Sequence, residues 1–345
     1  MTDVIRARTL ADLISAVPAM FGFHPEESLV AFCLDGERRR IGFRFRADLP
    51  PPDVAAALAE SLVGHLVAQQ PEAVVVLAYG AADDRCARPA VEALVALLEQ
   101  AGVPVAEAAR FDGARYFSYT CDEPRCCPPE GVPCDVEGSA VLAEAVFRGQ
   151  EILPDREALA RRFAPVAGPV RDDVQQAAGP QLTALAGAAA GAVDPEQDLR
   201  TLRAGLDRVV AVLDDALEGA DDEAVVVTAE QLATLGVWAT LVVVRDVAWA
   251  RITHENAARS LELWRQVAVS VDEPFQAPAL SLAAFAAWLS GDGAQAQCAL
   301  DRAHVVAPDY SMARLVQSAL SGCLDPRSWP EMDVDQVLRS VPGLS

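Results

Sequence analysis

The residues that most suggest chemistry are four cysteines within fourteen positions: Cys121, Cys126, Cys127 and Cys134. Four thiolates in one short segment could close a tetrahedral zinc site. The spacing C-x4-C-C-x6-C departs from the usual C-x2-C pairs, and the adjacent Cys126 and Cys127 should point in different directions. Pro128 also holds Cys127 extended. We therefore expect one of the pair to turn away. We predict no cofactor and assign no metal ligand, and zinc is not the favoured interpretation.

Three interpretations of these thiols stay open: packing as small hydrophobic groups under a proline-stiffened loop, metal binding, or redox chemistry. A fourth metal ligand could come only from a distant group such as His24, and the cluster would then be an open site of the catalytic kind rather than a structural one. Cys134 lies beyond the C-x4-C-C-P core. We therefore expect Cys134→Ser to be nearly silent, and replacement of Cys126 or Cys127 to destabilise the fold.

Acid–base groups form a second candidate site. His24, Glu26 and Ser28 occur within five residues and could support acid–base or metal chemistry, although a solvated turn is the alternative. Tyr79 and Asp83 lie at the end of the most apolar strand, where open α/β sheets place ligands. Convergence of His24, Tyr79 and the cysteine segment on one pocket would favour an enzyme, and their separation would count against one.

Five arginines lie in the nine positions from Arg38 to Arg46. Arg44 and Arg46 share one face of a predicted strand and could bind phosphate or carboxylate. The alternative is a solvated face balanced by acids such as Asp48. The chain has a net charge of −22 and no lysine, which argues against nucleic acid binding and excludes Schiff-base and P-loop lysines.

Hydrophobic periodicity predicts the elements that position these residues. A capping box at Thr9 and Asp12 opens a short helix over 10–17 that Pro18 interrupts. The pattern then predicts strand 28–34, strand 40–48, helix 53–69, strand 73–79, helix 89–100, and strands 103–110 and 115–119. The strand–helix–strand order implies a right-handed βαβ unit in a mixed sheet.

Strand patterns end near Ala164, and the rest of the chain is helical in pattern. We predict an α/β domain over 1–165, a helical connection over 166–222, a helical domain over 223–330 and a tail over 331–345. Residues 165–195, rich in Gly, Pro and Ala, should connect domains rather than build a core. Thr228 and Gln231 cap a single long helix that should reach about Ile252.

A helical hairpin over 280–320 has the spacing of a tetratricopeptide repeat, with Gly291 in the turn and small residues at Ala296 and Ala303. About three stacked repeats are needed for a stable array. We therefore interpret the hairpin as TPR-like but part of the domain core, rather than as a peptide-binding groove.

Several segments carry a family resemblance: Gly22-Phe23-His24-Pro25-Glu26, Arg46-Ala47-Asp48-Leu49-Pro50, Ala286-Ala287-Trp288 and, most specific, CDEPRCCPPEGVP over 121–133. Together they resemble the bacterial family of domain of unknown function 4192 (DUF4192). The resemblance covers nearly the whole chain and suggests an actinobacterial source. It implies no activity, cofactor or catalytic residue.

The longest apolar run, 237–244, is far shorter than the about 20 residues needed to span a bilayer, and no signal-peptide pattern is present. We predict a cytoplasmic protein that binds neither membrane nor nucleic acid. Its leading function is non-catalytic binding of a protein partner or a small anionic ligand. The alternative is an enzyme acting on a small anionic substrate through His24, a nearby carboxylate and a cysteine thiol.

Overall fold

The computed structural model describes residues 7, 9–36, 39–80, 84–189, 195–219 and 224–339. Contacts divide the chain into two units, Met1–Arg156 and Glu157–Ser345. The first unit contains a mixed sheet with helices and the second is mostly helical, which confirms the predicted fold class. The domain limits near residues 165 and 222 stay a prediction.

The first unit is a six-stranded sheet in the order β2-β1-β3-β4-β5-β6 with helices on both faces, counted over the described residues. In chain order its elements are α1 (Leu10–Phe21), β1 (Ser28–Asp35), β2 (Arg40–Asp48), α2 (Ala55–Ala68), β3 (Ala73–Tyr79), α3 (Asp84–Gln100), β4 (Val105–Phe111), β5 (Arg115–Ser118), β6 (Val132–Pro133) and α4 (Ala140–Phe147). β3 and β4 are parallel, as the predicted βαβ unit requires, and the other paired strands are antiparallel.

β3 lies inside the sheet and all of its residues are buried. Val74, Val76 and Ala78 pack with residues of α2 and α3, whereas Val75, Leu77 and Tyr79 pack with residues of α1 and α4. A strand that is dry on both faces must be apolar at every position. This requirement explains why the continuous run AVVVLAY predicts the strand with its observed bounds.

The first helix does not stop at its proline, so the prediction that Pro18 interrupts it is wrong. α1 begins at the predicted capping box and continues through a buried Pro18 to Gly22, whose φ of 75° ends the helix. Proline has no N–H to donate to the carbonyl of Ile14, four residues earlier. That carbonyl instead accepts a buried hydrogen bond of 2.7 Å from the Tyr79 hydroxyl. A partner from β3 thus completes the helix.

The second unit consists of helices α5 (Arg156–Arg161), α6 (Pro169–Ala189), α7 (Pro195–Leu217), α8 (Ala229–Trp238), α9 (Val242–Ala250), α10 (Ala257–Ser270), α11 (Glu273–Leu289), α12 (Gly293–Val306), α13 (Ser311–Ser321) and α14 (Val334–Arg339). α11 is the core helix, because every residue from Gln276 to Leu289 is buried. Gly291 follows it with a φ of 84°, and Ala296 and Ala303 are fully buried. The relationship to tetratricopeptide repeats stays a prediction.

One expectation for this unit is wrong, that of a single long helix beyond Thr228. Residues 165–195 lie mostly in α6, which packs against α8, and their role as a connection stays a prediction. There the buried Gln181 accepts a hydrogen bond of 3.0 Å from the indole N–H of Trp238. The single long helix beyond Thr228 is two helices, bent by 115° between α8 and α9. At the bend, Thr240 donates its hydroxyl to the carbonyl of Val237, an alternative to continued helix.

Among the described residues, no single helix has both the length and the apolar composition to cross a membrane. α8 and α9 meet the criterion only when taken together across their 115° bend.

Tyr79→Phe should lower the free energy of unfolding by about 1–3 kcal/mol, because the buried carbonyl of Ile14 would lose its donor. In a Pro18→Ala background the helix supplies its own N–H, so the same change should cost much less. Urea denaturation of the wild type, the two single variants and the double variant measures the coupling free energy between the two substitutions. Additive effects would show that the hydroxyl does not replace the missing donor.

Candidate functional site: a cluster of three thiols

The cysteine loop, defined here as residues 119–131, leaves the sheet after β5 and returns as β6. β6 pairs antiparallel with β5, placing Val132 opposite Tyr116. The guanidinium of Arg115 donates to the carbonyl of Gly131 at 2.7 Å. Gly131 has a φ of 79°, and a Cβ there would lie 2.7 Å from the Phe117 ring, so this position requires glycine. Both ends of the loop are therefore fixed to the sheet.

Inside the loop, the peptide groups of Glu123 bring the cysteines together. The backbone N–H groups of Cys126 and Cys127 donate to the carbonyl of Glu123 at 3.0 and 2.8 Å. The Ser118 hydroxyl oxygen also accepts the Cys121 N–H at 3.1 Å. Glu123 thus holds Cys126 and Cys127, and Ser118 holds Cys121.

As a result, the Sγ atoms of Cys121, Cys126 and Cys127 all lie within 4.8 Å of one another. The expectation that Cys126 or Cys127 turns away is wrong. Alternation of neighbouring side chains is a property of extended chain, and residues 124–127 form turns. Cys126 is exposed and the other two are half-buried, so solvent reaches the cluster.

Cys121 and Cys127 differ in acidity. The hydrogen bond from the Glu123 N–H, helped by the Cys127 thiol, lowers the pKa of Cys121. Burial, followed by the neighbouring sulfurs, raises the pKa of Cys127 to about 12. Cys121 therefore loses its proton before Cys127 does.

Cys134 is separate from this cluster. It is 6% exposed and belongs to the core that contains Val136 and Leu142, on the α1 and α4 face of the sheet. Its N–H donates to the carbonyl of Ala114, which continues the β5–β6 pairing. Burial raises the pKa of its thiol. The inference that Cys134 is expendable is contradicted by this position in the core.

The acid–base candidates His24 and Ser28 each contact a residue outside the thiol cluster. His24 Nε2 is 3.5 Å from Glu137, and the Ser28 hydroxyl donates to the carbonyl of Glu26. Neither His24 nor Glu26 is in the thiol cluster found among the described residues. Tyr79 is buried with its hydroxyl on Ile14, as described above. The enzyme interpretation stays a prediction. Asp83 lies outside the described residues, as does Arg38.

Arg44 and Arg46 lie on the α1 side of β2, opposite Phe32 and Val30 of β1. Arg44 donates to the carbonyl of Met20 at 3.3 Å. Arg46 donates to the Ser28 hydroxyl at 2.8 Å and pairs with Asp48 at 2.6 Å. Arg46 thus has an acidic partner, and the Arg44 contact described above is to a backbone carbonyl. Binding of a small anion here stays a prediction.

Sequence reasoning missed Glu123 and Arg115, which build the site without reacting themselves. No local sequence pattern indicates the role of Arg115, because the carbonyls that accept its hydrogen bonds lie 15 and 16 residues further along the chain. Glu123 does have one: Pro124 follows it, and proline favours the second position of a tight turn. A turn over residues 123–126 would have placed Cys126 and Cys127 back toward Cys121.

Comparison with known proteins gives a family and no activity. A family model described as "Domain of unknown function (DUF4192)" matches residues 11–327, nearly the whole chain. No curated protein and no solved structure matches the chain. The geometry of the molecule itself must therefore support any functional conclusion.

Cys134→Ser should lower the free energy of unfolding by about 1–3 kcal/mol, since it places a hydroxyl in an apolar core. Cys126→Ser, at an exposed position, should change it by less than about 0.5 kcal/mol. Urea denaturation under reducing conditions compares the two. Equal losses would contradict the division of the cysteines into a cluster and a core residue.

Alkylation by iodoacetamide should modify Cys121 faster than Cys127 at mildly alkaline pH. The thiolate is the nucleophile, and a lowered pKa for Cys121 against about 12 for Cys127 gives Cys121 more thiolate at such pH. Peptide mass spectrometry follows both rates, and urea-denatured protein serves as the control in which they should converge. Faster reaction at Cys127 would reverse the assigned order.

Proposed function

Since the chain belongs to the DUF4192 family, whose description states no activity, we propose its function from the geometry of the cysteine loop. The protein is a cytoplasmic binding protein without catalysis, and it holds its ligand on the thiols of Cys121, Cys126 and Cys127. The observation that carries the proposal is the grouping of these three sulfurs within 4.8 Å at a solvent-accessible position.

The anchoring of the loop supports a binding role. Binding is weakened when a flexible segment must first be ordered. Here the β5–β6 pairing, the Arg115 contacts and the Glu123 hydrogen bonds already order the chain around the sulfurs. A ligand would therefore meet a largely preformed group of thiols.

Binding without catalysis is supported by the way the other reactive groups are used. The hydroxyls of Ser28 and Tyr79 donate to backbone carbonyls within the fold. His24 faces Glu137 rather than the thiols. In the part of the chain that the structure describes, the cluster itself contains only cysteine sulfurs.

A reducing compartment supports the cytoplasmic part of the proposal. All eight cysteines, each within the described residues, are free thiols. Three neighbouring thiols would be driven toward disulfides in an oxidising compartment, whereas the cytosol keeps thiols reduced.

Mass spectrometry under native conditions tests this function without assuming the ligand. Protein purified without denaturation should show a mass above that of the chain, and the excess should disappear on denaturation. Cys126→Ser should lose the excess because it removes one of the three sulfurs. Cys86→Ser is the matched control, since Cys86 is a half-buried cysteine outside the cluster, and it should keep the excess.

The proposal is wrong if two results are found together. The native protein has the mass of the bare chain, and its three thiols are alkylated as fast as those of protein that was unfolded, to release any ligand, and then refolded. An excess mass retained by Cys126→Ser would also contradict it, because the ligand would then be bound elsewhere.

A further inference from the structure

We infer that Cys121, Cys126 and Cys127 form a three-thiolate site for a thiophilic divalent metal ion of the zinc class, with a fourth coordination position open to solution. This inference rests on the proposed function and names the ligand of that site. It departs from the expectation drawn from the spacing of the cysteines, because the structure brings both members of the adjacent pair to one point.

The distances suit such an ion. A zinc–sulfur bond of about 2.3 Å places two sulfurs of a tetrahedral site about 3.8 Å apart. The three sulfurs here lie within 4.8 Å of one another without any ion. A contraction of about 1 Å, within reach of rotation about the cysteine side-chain bonds, completes the geometry. The fixed ends of the loop need not move.

The surroundings also suit a thiolate site. The Glu123 carbonyl accepts the backbone N–H groups of Cys126 and Cys127, and the Ser118 hydroxyl oxygen accepts that of Cys121, so hydrogen bonds hold the backbone of all three ligands. Binding exchanges up to three thiol protons for one divalent ion, so no electron transfer is involved. Three thiolates and one divalent ion leave a single negative charge, at a position that solvent reaches.

The open position follows from the ligand count. The described residues supply three ligand atoms at this point, and Cys134 is held in the core on the β6 side of the loop. Zinc is bound by four ligands in structural sites, whereas three protein ligands leave a position for water or another exogenous group. A small thiol or an imidazole from solution fits that position chemically.

Titration of the reduced, metal-free protein with cobalt(II) under anaerobic conditions tests the inference. One equivalent should produce thiolate-to-cobalt charge-transfer absorption, and zinc(II) should abolish it by displacement. Loss of an outer-shell partner alone weakens metal binding about 10- to 100-fold, so Cys126→Ser should weaken it by at least that factor. Cys86→Ser should bind like the wild type. Added imidazole should shift the cobalt spectrum, because the fourth position is open.

Absence of charge-transfer absorption, or equal affinity in Cys126→Ser, overturns the inference. If the native protein carries a non-metal ligand that Cys126→Ser loses, the binding function stands and the metal assignment falls. If the thiols instead lose two hydrogens in air to form a disulfide and bind no cobalt when reduced, the cluster is a redox pair rather than a metal site. A spectrum unchanged by imidazole would refute the open position.

Discussion

The hydrogen bond from the Tyr79 hydroxyl to the carbonyl of Ile14 joins strand β3 to helix α1. The other elements of the first unit depend on these two. This hydrogen bond fastens the last residue of β3, the strand buried on both faces, to the helix that covers one of those faces. Pro18 makes this bond necessary by leaving the carbonyl without a helical partner. The same face of the sheet also includes Cys134, next to the end of the cysteine loop. The packing of α1 thus helps to support the chain that carries the thiols.

Much of the sheet could be predicted because its signals are local. The continuous apolar run of β3 and the alternation in β2 give the observed bounds of both strands, 73–79 and 40–48. Features set by distant partners could not be predicted. The donor for Ile14 lies 65 residues away, and the partner of Gln181 in α6 is Trp238, 57 residues further along the chain. Glycine, proline and alanine in that segment describe local preference, which packing overrides.

The candidate site also combines features with a local sequence signal and features set by distant partners. The sequence identifies the four cysteines, but their separation into a cluster and a core residue depends on strand pairing. Because β6 pairs with β5, Cys134 is drawn into the core next to Ala114. The preceding cysteines remain in a loop whose shape is set by the peptide groups of Glu123. Rules for neighbouring side chains on extended strands do not apply to such a loop.

The two edges of the sheet also differ from what an aggregating protein would present. An exposed edge strand offers unpaired backbone groups to other chains, and charges or proline at the edge discourage that pairing. β2, at one edge, carries Arg40, Arg44 and Arg46. β6, at the other, is only two residues long and ends in Pro133, which has no N–H to donate. The arginine-rich strand and the short, proline-ended return of the cysteine loop therefore give both edges of the described sheet features that disfavour pairing with another chain.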